Sequence, residues 1–421
     1  MAKNPVAAPV SPLPTYDHGG GVSRSYPAVA GGLYSLQATP PIYKGGFLVT
    51  PDPSGTSDLT YTQDAHRIAQ GSSAGRVFLT GHNWGEGGQP HLGEATRPAL
   101  VGGSDVNAFN IGAIVQPFRN IKTDLAGFQG DATISGIEYD RVTHPLDPSR
   151  VGTGQLAYGS YSYYAGFAGK NFGLYRNGAD MAGGAKFNTD MTGGAHFSGQ
   201  MIKIPASWRS LFGGATHFAH NGIGMAIVGR ASNGPSLLAF TMPEAGESPA
   251  LINGTVVMDF PLATPLCGTE SALATAQIWN HVSRVAGGFC IPNTDTIMFV
   301  GHNWDPRTVG GTIDYKGTND IGVTSNGYAP SKHRAYGNYY WLFSKSALAA
   351  VFANPIANPP HMVRPYEHNF FSAFPVADWQ HLITGAYYDY DTNEMVSSIW
   401  LGAASRFAYS AAPSFAVHQL I

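Results

Sequence analysis

Residues 75–84 read GRVFLTGHNW, and residues 295–304 read DTIMFVGHNW. Each opens on a turn, alternates apolar side chains through a short strand and ends on Gly-His-Asn-Trp. Two copies of one strand ending imply two modules of similar make. A looser copy, HNGIGMAIVGRAS at 220–232, sets Arg230 after Gly229. TISGIEYD at 133–140 and LITGAYYDYD at 382–391 also resemble each other, as strands running into acidic turns. The second continues through TNEMVSSIW as a hairpin. Strand-end landmarks at Gly81, Gly159, Gly229 and Gly301 are spaced 78, 70 and 72 residues apart, and a further 99 lead to Trp400. A long loop from Pro306 to Tyr336 absorbs the excess. Such a period, holding several short β runs bounded by Gly and Pro, points to propeller blades. A sandwich would repeat its turn signals every ~8–12 residues without a superperiod. The expected fold is all-β, a β-propeller of five blades, or six if 310–345 forms its own sheet.

Composition agrees. The 53 glycines and 29 prolines make about a fifth of the 421 residues, well above the roughly 12% of average usage. Charged residues are 12% and aromatics another 12%, which excludes disordered chains and coiled coils. Residues 1–32 are rich in Pro and Gly and read as an extended N-terminal arm with no core of its own. From 33 to 421 the texture is uniform, so one propeller domain is expected, with a Gly-rich insert at about 166–200. Two short helices are expected on loops between blades. IPASWRSLFGG at 204–214 carries Pro205 at its start and Gly213 as a stop, and SKSALAAVFANP at 344–355 runs between Ser344 and Pro355.

The net charge is −3, so no basic field exists for nucleic acid or an anionic membrane. Cys267 and Cys290 match no zinc or redox spacing. They are packed thiols or a single disulfide. The first thirty residues lack the apolar stretch of a secretory signal, and no apolar run approaches a membrane span. The chain is expected to be made in a cytoplasm and to leave it only by lysis or a dedicated machine.

A wider set of motifs accompanies the tetrads: IVQPF at 114–118, RASNGPSLLAF at 230–240, YYWLF at 339–343, VRPYE at 363–367, GAYYD at 385–389 and the closing FAVHQLI. Together they resemble a family of uncharacterised bacterial and bacteriophage proteins with β-propeller folds. The likeness runs from about residue 65 to the C-terminus as scattered short motifs. It implies the fold, and it implies no catalytic residue, because that family has no settled activity. An arm and an insert on a propeller suit a virion or other extracellular assembly.

The candidate ligand-binding residues follow from the tetrads and from two further features. If both tetrads face one rim, His82, Trp84, His302 and Trp304 can grip a sugar ring by stacking and hydrogen bonding. The alternative is that each His and Asn caps a neighbouring strand while Trp fills a gap between blades. Tyr161 and Tyr163 share one face of a tyrosine-rich strand, and Arg230 and Arg364 supply cations. The expected function is a non-catalytic binding or structural protein. Its partner is a glycan or another subunit of an assembly, and an oligomer fits that role. The alternative function is a carbohydrate-active enzyme, a polysaccharide lyase or hydrolase using His, Tyr and Arg on one face. No cofactor and no metal are expected. DYDTNE at 389–394 has calcium-loop spacing but lacks the sixth-position glycine, and Trp400 stands where the closing glutamate belongs, so it reads as a hairpin turn. HFAH at 217–220 has no third ligand.

Overall fold

A computed structural model describes residues 41–49, 67–68, 76–83, 89–103, 105–120, 199–220, 233–241, 251–274, 276–280, 283–304, 336–372, 382–389, 392–400 and 414–420. It also describes short strands at 15–17, 23–25, 141–143, 173–175 and 185–187. These residues are mostly β, in several antiparallel sheets.

One sheet joins β4 (Arg67–Ile68), β5 (Arg76–Asn83), β6 (Gln89–Thr96) and β8 (Ile114–Asn120) in that order, all antiparallel. A second joins β17 (Arg284–Ile291), β18 (Thr296–Trp304), β19 (Tyr336–Ser344) and β20 (Pro365–Phe370) in the same manner. A third runs β21 (Leu382–Asp389), β22 (Glu394–Trp400), β23 (Ser414–Gln419), and then takes β3 (Ile42–Val49) from the other end of the chain. A parallel strand β7 (Ile111–Gly112) flanks β3. The strands β1 (Thr15–Asp17) and β2 (Ser23–Ser25) make a small hairpin.

Between residues 141 and 258 the expectation of separate similar sheets is not met. Eight strands form one sheet there. Its order is β15 (Leu251–Ile252), β11 (Ala185–Phe187), β10 (Gly173–Tyr175), β9 (Arg141–Thr143), β12 (Gly199–Lys203), β13 (His217–His220), β14 (Leu237–Phe240) and β16 (Gly254–Met258). The fusion is narrow: β9 meets β12 through only Val142↔Gly199 and Arg141↔Gln200.

The strands of the second and third sheets are apolar on both faces because those sheets are covered on both. In β18, Ile297 and Phe299 join one core with Ile202, Phe218, Leu237 and Val257 of the eight-stranded sheet. Met298 and Val300 join another with Ile383, Ala386, Tyr388 and Met395. The far face of β21–β23 (Tyr387, Val396, Phe415, Val417, with Phe47 of β3) packs on Val77 and Ala95 of the first sheet. The eight-stranded sheet, the second and the third therefore stack face to face in chain order, and the third lies against the first. Close approach is needed where first strands meet. A Cβ on Gly287 would lie 2.5 Å from the Ala386 carbonyl oxygen.

The expected helices form at their sequence positions but not on inter-sheet loops. Ala206–Phe212 is a 3-10 helix between β12 and β13, ended by Gly213 at φ 62°. The α-helix α1 (Lys345–Ala353) lies between β19 and β20. Each connects neighbouring strands of one sheet. Ser344 caps α1 by accepting the Ala347 N–H, and Asp295 accepts from the Ser346 N–H at 3.1 Å and from both flanking hydroxyls, placing a carboxylate at the helix N-terminus. Cys267 and Cys290 are both buried free thiols, and burial pushes Cys267 up to about 11 and Cys290 well above its ordinary value. Among the described residues no helix is long and apolar enough to cross a membrane.

Replacing Gly287 by Ala forces β17 and β21 apart. A loss of about 1–3 kcal/mol, typical of core overpacking, is expected in denaturant unfolding. An unchanged midpoint would show that the two strands do not meet so closely.

Candidate functional site

Gly81–Asn83 and Gly301–Trp304 occupy the same place, at the C-terminal end of the second strand of a four-stranded sheet. Their registers match as well: Arg76↔Thr96 through Gly81↔His91 corresponds to Thr296↔Ser344 through Gly301↔Tyr339, with no bulge in either.

Contacts to the third sheet fix which way each strand end faces. His302 donates from Nε2 to the Ile383 carbonyl at the start of β21. The Asn338 side chain accepts the Ile383 N–H at 2.7 Å. The Gly301–Trp304 end of β18 thus lies at the Leu382 end of β21. The first sheet touches the opposite end. Arg97, directly after β6, donates to Asp389 at 3.0 Å and to Glu394, the two residues that close the β21–β22 hairpin. The Arg76–Thr96 end of the first sheet therefore lies at the Asp389 end, a strand length of about 25 Å from Leu382. Its Gly81–Asn83 end emerges on the same face as Gly301–Trp304.

At the second tetrad the polar side chains serve packing. His302 is 3% exposed and Asn303 is fully buried. Asn303 accepts from Asn280 Nδ2 and from Ser283 Oγ, each at 2.7 Å, and donates to the Gln277 carbonyl. Its amide thus ties the segment before β17, while His302 ties β21. Arg364 does not join this face. It precedes Pro365, whose partner Phe343 lies toward the Thr296 end of the sheet. Arg364 is buried, donates to the His361 and Val363 carbonyls at 2.6 and 2.9 Å, and stands 5.5 Å from the Phe260 ring centroid. His82 is placed by its strand alone, as is Trp304. Trp84, Tyr161, Tyr163 and Arg230 lie outside the described residues.

Two further polar pairs form across β19 and β20, one on each face of the sheet. Tyr339 Oη lies 2.6 Å from His368 Nδ1, and Tyr340 donates to Glu367 at 2.6 Å. Burial lowers His368 to about 4, so the ring is neutral at physiological pH. Tyr339 is fully buried, whereas His368 is half-buried.

The ion set at the hairpin is the group that sequence reading missed. One guanidinium bonds both Asp389 and Glu394, and Lys44 of β3 bonds the other oxygen of Glu394. Burial alone would raise the Glu394 carboxyl, but the hydrogen bonds from Lys44 and Arg97 outweigh it and hold the group below its ordinary value. An acid catalyst needs the opposite shift to that of Glu394, and the ion pairs join the β21–β22 hairpin to Lys44 and Arg97 as a buckle. They hold the DYDTNE hairpin with cationic side chains in place of a bound cation. HFAH is strand β13 and not a helix, so its two histidines lack helical i, i+3 geometry. Among the described residues no cluster of three metal-binding side chains occurs.

No family model matches the chain, and no curated protein matches it. Among solved structures, a mannose phosphorylase from Leishmania mexicana aligns over 90% of this chain and 88% of its own, at 8% identity and TM-score 0.35. The catalytic domain of a Coprinopsis cinerea GH62 α-L-arabinofuranosidase aligns over 89% and 97%, at 11% identity and TM-score 0.33. At these scores neither likeness carries an argument.

Two outcomes follow. Arg97→Met leaves two buried carboxylates short of a partner and should remove about 3 kcal/mol or more of stability, seen as a lower denaturant midpoint. Because the folded Glu394 carboxyl sits below its unfolded value, its contribution is present above the ordinary carboxylate range, near 4.5, and is lost as the pH falls through the lower folded value. The wild type should lose stability more steeply below that pH than Glu394→Gln, measured by denaturant midpoints across an acid series.

Proposed function

We propose that the chain is a five-bladed β-propeller that engages carbohydrate through the face on which the two Gly-His-Asn-Trp strands end. Its blades are β4–β6 with β8, β9–β11 with β15, β12–β14 with β16, β17–β20, and β21–β23 with β3. Three features support this division: the meander order of the sheets, the face-to-face contacts that run from the eight-stranded sheet through the second and third to the first, and completion of the last by a strand from the N-terminal region. The eight-stranded sheet divides at its two-residue joint.

The observation that carries the functional reading is the shared face of the two tetrads. His302 and Asn303 are engaged in packing, so the candidates for ligand contact are the tryptophans that end the two tetrads in sequence, Trp84 and Trp304. An aromatic platform in a chain with only 12% charged residues suits a ligand held by stacking and neutral hydrogen bonds. A second reading is favoured by Arg284, a basic residue whose backbone stands in register with His302 at that end of the sheet. A lyase or hydrolase acting on an acidic polysaccharide needs such a charge to neutralise a uronate.

A panel of neutral and acidic polysaccharides, assayed for binding by calorimetry and for cleavage by reducing ends and unsaturated products, tests both. Binding to at least one glycan is expected, weakened about tenfold in Trp84→Ala and in Trp304→Ala, as for loss of one stacking platform. Product release from an acidic glycan, abolished in Arg284→Ala, selects the enzyme. No binding to any member of the panel overturns the proposal.

A further inference from the structure

Residues 276–280 lie between the 3-10 helix Ser271–Ala274 and β17, and they form neither helix nor strand. Three successive carbonyls of this segment are nevertheless each taken by a side-chain N–H. Ala276 accepts from Asn280 Nδ2 at 3.0 Å, Gln277 from Asn303 Nδ2, and Ile278 from Trp341 Nε1 at 2.7 Å. All three donor residues are fully buried, and two of them come from β18 and β19. Asn303 Oδ1 in turn accepts from Asn280 and Ser283, and Ser283 Oγ accepts the Asn280 N–H at 2.8 Å. A buried and satisfied polar network of this kind rigidifies the irregular backbone it holds.

The side chains on the segment divide cleanly. Trp279 is buried against Trp341, with ring centroids 5.1 Å apart, and Ala276 and Ile278 pack on the same core. Asn280 belongs to the network. Gln277 is left over: it is half-buried, and its side-chain amide has no hydrogen-bond partner among the described residues. Its carbonyl rests on Asn303, the residue before Trp304, so Gln277 stands at the strand end that carries the second tetrad.

We propose that Gln277 is a ligand-contacting residue of the tetrad face, its backbone fixed there by the side chains of Asn303 and Trp341. This rests on the carbohydrate reading above and narrows it to a neutral sugar. A primary amide carries two donors beside an acceptor oxygen, which suits neighbouring hydroxyls, one accepting from Nε2 and the other donating to Oε1. Because the backbone is already held, binding orders little beyond the amide itself.

The test is Gln277→Met, which keeps the length of the side chain and removes the amide. The backbone carbonyl on Asn303 is retained, so the melting temperature is expected to stay at the wild-type value. Affinity for a neutral glycan that the wild type binds is expected to fall about tenfold in calorimetry. Unchanged affinity would overturn this inference and leave the proposed function standing, whereas binding of no glycan by the wild type removes both. A melting temperature that falls with the affinity would make Gln277 a structural residue, which also overturns it. Independently of any ligand, the Trp341 indole proton should exchange with solvent as slowly as the amides of β18. Rapid exchange there would show that the segment is not held, and the proposal would fall.

Discussion

The architecture depends on one long-range pairing. Strand β3, near the start of the chain, completes the sheet made by the last three strands, with Phe415↔Phe47 and Ser414↔Leu48 in register and the two phenylalanine rings stacked 4.9 Å apart. Without β3, β23 would be an open edge, and the core on which the first sheet packs would lose Phe47 and Val49. Ordering so long an intervening chain is entropically unfavourable, though the loop-closure term grows only slowly with length. The buried buckle works at the same junction, because Lys44, Arg97 and the β21–β22 hairpin come from three separate segments. Apolar contact supplies the bulk of the attraction, and the ion set fixes the register.

Two sheets of matching register carry different fixtures at equivalent points. The residue after the third strand is a cation in both, Arg97 in one and Lys345 in the other. Lys345 staples locally, 3.9 Å from Asp295 of its own sheet, and also lies 4.8 Å from the ring centroid of Trp208 in the helix between β12 and β13. Burial lowers its ammonium, which the nearby Asp295 partly offsets. Arg97 reaches across to the neighbouring sheet. A repeated backbone frame thus accommodates local stapling in one place and closure in another, with the side chain's length and fork setting the difference.

What the sequence disclosed was local. The alternation in IMFV and FLT, the turn before each tetrad, and the hairpin from 382 to 400 are short-range signals, and the matching strands form where those signals lie. Ser344 and Gly213 marked helix boundaries by their own chemistry. The partnership of β3 with β23 left no such trace, since nothing in IYKGGFLV names its partner. The buckle was hidden for the same reason: 292 residues separate Arg97 from Asp389 and 350 separate Lys44 from Glu394. His302 and Arg364 have the residue types of a binding site, yet tertiary packing places one against β21 and the other toward the far end of β20. Residue type alone does not reveal whether a polar group meets a ligand or a backbone carbonyl.

Amide hydrogen exchange of the wild-type chain tests the closure most directly. If β3 is an integral strand of the last sheet, its amides from Gly46 to Val49 exchange as slowly as those of β22, and all become labile in one cooperative step as denaturant rises. Rapid exchange across β3, with β21 and β22 still protected, would show that the two ends of the fold are not joined.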